Sequence, residues 1–203
     1  MRKFLGLMLL IRSAAALSQE APKAEIFGGY SYANMQLLSD RSGFNGWNAS
    51  ATVNINRWFG LTMDFGGAYG GSARETFRLP PTIGGTETIQ INGKLHTFLF
   101  GPQFSWRHEK LTPFAHLLLG EERLDETEKI TISSSSLFQG TPFPSSFARM
   151  DSAVLFGGGV DYAITRKTAW RLQADYSPNG FSGRAENNVR VSTGIVFRFG
   201  GQP

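Results

Sequence analysis

Between residues 46 and 58 the chain reads GWNASATVNINRW, and apolar and polar side chains change places at almost every step. Trp47, Ala49, Ala51, Val53 and Ile55 share one parity; Asn48, Ser50, Thr52, Asn54 and Asn56 share the other. Period two is the signature of an extended strand with one greasy and one wet face, because successive side chains leave opposite sides of the backbone. The pattern recurs over residues 61–69, 97–106, 153–162, 170–176 and 189–199, and more loosely over 25–34. Residues 112–120 are apolar on both parities, so their strand has no facing that the sequence fixes. Eight strands of about ten residues each are therefore expected.

The connections between them alternate in length. Residues 57–60, 108–111 and 163–167 form short turns, whereas 36–45, 70–94, 121–150 and 177–187 form long loops. Short, long, short, long is the rhythm of an up-and-down meander whose two ends meet different surroundings. Transmembrane barrels show it, with short periplasmic turns, longer outer loops and an even strand number. Stretches 86–93 and 129–133 still alternate, so the strands beside the two longest loops are expected to extend past a membrane.

The first residues, MRKFLGLMLLIRSAAALSQE, combine a basic start, an apolar run and small residues. They read as a cleavable signal peptide over 1–18, leaving a mature domain of 19–203. Its removal takes away Arg2, Lys3 and Arg12, which lowers the formal charge from +4 to +1 and removes the case for a nucleic-acid partner. No later run of eighteen apolar residues exists to make a spanning helix, and with no cysteine there is no disulfide framework or thiol chemistry.

Alternation alone allows two facings: a soluble barrel greasy within, or a membrane barrel greasy without. Residue choice separates them. Large aromatics of the apolar set gather toward strand ends, namely Tyr30, Trp47, Trp58, Tyr69, Trp106, Tyr162, Trp170 and Tyr176, while Ala49, Ala51, Val53, Leu172 and Ala174 occupy the middles. Aromatic ends around an aliphatic band match the interfacial girdles of a membrane barrel. The opposite set is small, polar or charged, which suits the narrow interior of eight strands. Asp64, Asp161, Arg171, Asp175, Arg190 and Arg198 share that inward set and, joined by His116, are expected to form a structural lumen network, since buried charges must be paired.

The last strand, with Thr193, Gly194, Phe197 and Phe199 in the run TGIVFRF, resembles the C-terminal assembly signal of bacterial outer-membrane barrels. With AEIFGGYSY, PFAHLLLG and FGGGVDY, the chain resembles the OmpA-like small outer-membrane β-barrel family of Gram-negative bacteria. The resemblance implies an integral outer-membrane protein in contact with membrane lipid and lipopolysaccharide. It implies passage by periplasmic chaperones and insertion by the barrel-assembly machinery. The wall-tethering role of larger relatives is not expected of a chain ending at Pro203.

Chemistry is sparse. His96, His108 and His116 are the histidines, and no serine stands two residues after His96, as it does in lipid hydrolases of this general shape. A nucleophile with a base in reach is not specified, and no cofactor or metal is expected. Glu121, Glu122, Asp125, Glu126 and Glu128, with Arg123 and Lys129, are expected to form a solvated loop base. The fold class is all-β: an eight-stranded antiparallel up-and-down transmembrane β-barrel with a plugged polar lumen. Its expected role is structural or surface-interacting, with loops 70–94 and 121–150 as the place for an unknown ligand. The alternatives are a soluble lipocalin-like carrier of an apolar ligand, a lipid-modifying outer-membrane enzyme, and an ion path through the lumen.

Overall fold

The computed structural model describes residues 21–37, 40–82, 84–133, 143–178 and 187–200. The expected signal peptide at 1–18 lies outside them. Eight antiparallel strands follow one another around a closed barrel: β1 Ala24–Leu37, β2 Asp40–Asn54, β3 Phe59–Arg78, β4 Thr86–Ser105, β5 Leu111–Ser133, β6 Phe143–Ala163, β7 Thr168–Ser177 and β8 Asn188–Phe199. Every neighbour in space is a neighbour in sequence, and β8 closes on β1 with Ala24 opposite Phe199.

One circuit along hydrogen-bonded partners fixes the geometry. From Asp161 it passes Arg171, Gly194, Gly29, Asn48, Gly66, Thr97 and Glu122, then returns to β6 at Asp151, ten residues from its start. With ~3.3 Å per residue and ~4.8 Å between strands, that stagger tilts eight strands by about 41°. Phe59 and Tyr69, ten residues apart on β3, are then separated by about 25 Å along the barrel axis, the height of an outer-membrane apolar band.

The greasy face is the outer one. Leu61, Met63, Phe65, Phe98, Phe100, Leu117, Leu119, Leu172 and Ile195 are exposed, while Asp64, Asp161, Arg171 and Gln173 are among the most buried residues. This facing excludes the soluble carrier, whose apolar side chains would point inward. The ambiguous strand resolves the same way, with Thr112, Phe114, His116 and Leu118 buried and Leu111, Leu117 and Leu119 outside. The three short turns fall at residues 55–58, 106–110 and 164–167, so Trp58 and Trp106 sit in turns rather than in strands.

The two longest loops are corrected by the structure. Residues 70–94 are a hairpin in which β3 runs to Arg78 and β4 starts at Thr86; within 121–150, β5 runs to Ser133 and β6 starts at Phe143. Within 36–45, the described residues 36–37 and 40–45 are likewise strand. Strands continue here because a neighbour continues beside each of them, so at least one edge of each keeps its ladder after the membrane ends. Among the described residues, β3 beyond Tyr69 and β6 before Phe156 are edge strands. A bulge between Tyr69 and Gly71, with Gly70 at φ +86°, marks the boundary on β3. It leaves one residue unpaired and reverses the parity, so Ala68 and then Gly71 and Ala73 face the axis. β7 and β8, by contrast, stop at Ser177 and Asn188. The wall is tall on one side and low on the other.

Candidate functional site

Two charged clusters occupy the lumen. In the lower one, near the short turns, Arg171 donates to both carboxylate oxygens of Asp161 at 2.7 and 3.0 Å, a fork-to-fork pair. Its guanidinium lies between the rings of Phe114, 4.3 Å from the centroid, and Phe27, at 5.2 Å. Arg198 reaches Asp161 and Glu25, each at 3.4 Å, and Arg107 donates to Glu25 at 2.8 Å. Glu25 and Arg107 escaped sequence reasoning. Glu25 does share the inward parity of Phe27; Arg107 lies in a turn, where parity carries no information, and its side chain folds back into the barrel.

The upper cluster centres on Arg190. Its Nη1 donates to Asp64 at 2.9 Å and its Nε to Asp175 at 2.9 Å. Asp175 also accepts from Gln173 at 2.8 Å and pairs with His116 at 2.9 Å, while Asn48 donates to Asp64 at 2.9 Å. Each carboxylate here has two or more partners, which is what makes ionised groups tolerable away from water. The structure therefore brings Asp161, Arg171 and Arg198 together below, and Asp64, His116, Asp175 and Arg190 together above.

Above both lies an apolar cap that the polar-lumen reading did not anticipate. Ala33, Met35, Phe44, Ala68, Ala73, Leu95 and Leu124 pack together, with the Phe44 ring fully buried. Gly71 is there for contact: a Cβ on it would stand 2.0 Å from the ring. Leu99, Leu118, Ala153 and Leu155 form a second apolar cluster on the β4–β6 side. The lumen thus holds paired charge below and hydrocarbon at the outer end.

Outside, Tyr30, Tyr32, Trp47, Tyr69 and Tyr176 occupy the outer half of the band, and Trp58, Trp106, Tyr162, Trp170, Phe197 and Phe199 surround the turn end. Several polar tips are paired: Tyr30 donates to Asn45, Tyr176 to Asn187, Trp47 to Tyr69 at 3.4 Å, and the Tyr69 hydroxyl meets His96 Nε2 at 3.2 Å. Such amphipathic rings hold a barrel at the level of the headgroups. In the expected assembly signal, Phe197 and Phe199 face outward and Gly194 stands against Gly29 of β1 at the closing seam.

The acidic stretch 121–128 is part of β5, not a loop base, and Glu122 is buried on the inward side. Beyond the bulge, β3–β6 stand as a four-stranded fin about 20 Å tall. Its outer face carries Arg74, Arg78, Lys94, Arg123 and Lys129, all exposed; Arg74 and Lys129 flank Gln90 in one cross-strand row. Its axis-facing side bears Glu75, Glu87, Glu126 and Glu128, with Arg149 and Asp151 of β6, among Ile89, Ile91 and Ile130. His96 faces outward 3.9 Å from Asp125, and His108 lies exposed in a turn. No cluster of three metal-ligating side chains occurs among the described residues.

The model of the outer membrane protein beta-barrel domain family matches residues 4–200. Among solved structures, Ail, the attachment invasion locus protein of Yersinia pestis, superposes with a TM-score of 0.57 at 16% identity, over 88% of this chain and 99% of that one. The same protein in complex with the heparin analogue sucrose octasulfate gives a TM-score of 0.56 at 16% identity, with 88% and 99% covered. Neisserial surface protein A gives 0.52 at 12% identity, covering 87% of this chain and 97% of its own. At such identities the likeness is one of fold. No curated protein sequence matches.

Proposed function

The chain belongs to the outer membrane protein beta-barrel domain family and lies in the outer membrane, and from that premise we propose that it is a sealed barrel serving surface interaction, without catalysis or transport. The observation that carries this reading is the fin: β3 to β6 continue far past the apolar band while β7 and β8 do not. A barrel that only filled membrane would have no use for that height. The fin's outer face presents five exposed cations against Glu121 and Asp125, whereas Arg149 is the cation on its axis-facing side among the described residues.

The cations fall into two levels. Lys94 and Arg123 lie just above Tyr69 and His96, at the depth where lipopolysaccharide phosphates stand, and they are its natural contacts. Arg74, Arg78 and Lys129 rise above that layer and suit an external polyanionic saccharide, the chemistry of the sulfated ligand bound by Ail. Biogenesis through periplasmic chaperones and the barrel-assembly machinery belongs to the same proposal, supported by Phe197 and Phe199 at the closing strand.

Binding of the detergent-purified barrel to immobilised heparin tests the upper level. The account expects salt-dependent retention that falls about tenfold or more in the triple variant Arg74→Gln/Arg78→Gln/Lys129→Gln, since each surface cation contributes roughly 1 kcal/mol. Equal retention of parent and variant contradicts it.

A further inference from the structure

The periplasmic end is cationic in a way the fold does not need. Short turns of outer-membrane barrels face the periplasm. Here the turns and the chain start expose Lys23, Arg57, Lys110, Arg166 and Lys167, against Glu109 alone among the described residues. They stand beside Trp58, Trp106 and Trp170, whose rings mark the depth at which hydrocarbon gives way to headgroups.

Between two of the turns lies a cleft of about 290 Å³, lined by Arg57, Trp58, Phe104, Trp106, Arg107 and His108 together with Ser105. The local structure that builds it is specific. Asn56 Oδ1 accepts from the backbone N–H groups of Trp58 and Phe59 at 2.9 and 2.8 Å, which holds the β2–β3 turn in shape. Trp58 stacks on Phe104 with ring centroids 6.0 Å apart. Arg107 bridges the two turns, donating through Nε to the Arg57 carbonyl at 3.2 Å and through Nη1 to Glu25 at 2.8 Å. Arg107 is thereby committed within the protein, its Nη2 buried as well. The cleft is half apolar and half cationic, and it lies at headgroup depth.

We propose that this cleft is a binding site for an anionic glycerophospholipid of the periplasmic leaflet, its phosphate held by Arg57 and His108 and its acyl chains running along Trp58, Phe104 and Trp106. His108 can donate an N–H in either neutral tautomer, so the site does not depend on its charge. Lys110, in the same turn, adds to the attraction. A phosphate of a membrane lipid is the anion present at this depth in quantity, and the aromatic half of the cleft matches the chain attached to it. A free phosphate would use the cations and leave the aromatics idle.

Quenching of tryptophan by brominated lipids tests the site. In a Trp47→Phe/Trp170→Phe background only Trp58 and Trp106 report, both from the cleft. Reconstituted into phosphatidylcholine vesicles at 0.1 M salt, the protein is expected to favour brominated phosphatidylglycerol over brominated phosphatidylcholine by about fivefold, the factor one cation supplies near an anionic surface. Added Arg57→Gln/His108→Gln/Lys110→Gln substitutions are expected to bring the ratio close to one while heat-modifiable migration persists. Should the variant fail to fold, raising salt to 0.5 M in the parent must shrink the preference, because exposed charges are screened. Equal quenching by the two lipids overturns the site, as does a preference that neither salt nor substitution diminishes. Sedimentation with purified peptidoglycan that the three substitutions abolish, without any lipid preference, assigns the rim to the cell wall instead and also overturns it.

Discussion

Arg190 is the residue on which the upper lumen turns. It holds Asp64 and Asp175 on opposite walls, each at 2.9 Å, so removing its charge leaves two buried carboxylates facing each other. Arg190→Met is expected to destabilise the barrel by about 3–5 kcal/mol, as broken buried pairs do; urea unfolding in lipid vesicles measures it. Replacing all three residues by apolar ones of similar size should restore much of that loss, since the pair's own desolvation cost disappears with it. Gly71 answers to size rather than charge. A methyl there meets the Phe44 ring at 2.0 Å, so Gly71→Ala is expected to cost about 1–3 kcal/mol, the range for overpacking. Adding Phe44→Leu should return most of it in the same assay. An undisturbed Gly71→Ala would mean that the apolar cap is looser than the packing described.

At the scale of the strand, β3 shows both what the sequence encodes and where its code stops. From Leu61 to Tyr69 each step alternates because lipid lies on one side and a packed lumen on the other, and that contrast is legible in the residues themselves. Past Gly70 it fades: Arg74, Thr76 and Arg78 face water outside, and Glu75 faces water near the axis. With two wet faces, burial no longer selects residue type, and a strand reads as a loop. The bulge hides the continuation further by swapping the parity. The same reasoning accounts for the site. Asp64, Asp175 and Arg190 were legible as charges on an inward parity, whereas Arg107 was not, because a turn has no parity to read. Two substitutions on β3 separate the regimes. Met63→Arg, in the band, is expected to cost about 2–4 kcal/mol and to impair assembly. Thr76→Arg, on the same outer face above the bulge, is expected to cost nearly nothing. Similar losses in refolding yield for both would contradict the boundary at Gly70.

At the scale of the whole molecule, one inversion organises everything: hydrocarbon outside, paired charge and a hydrocarbon cap inside, and a wall raised on one side into the fin. The natural chain has no cysteine, so single cysteines carrying a nitroxide spin label can be placed one at a time along residues 61–76 of the barrel in lipid vesicles. Accessibility to dissolved oxygen, which concentrates in acyl chains, and to a water-soluble nickel chelate, which does not, then reads the facing directly. The account predicts high oxygen accessibility at 61, 63, 65, 67 and 69 and low accessibility to both reagents at 62, 64, 66 and 68. It then predicts chelate accessibility at 72, 74 and 76, the parity changing at Gly70. Oxygen maxima at the even positions of 61–69, or chelate access throughout that stretch, would contradict it.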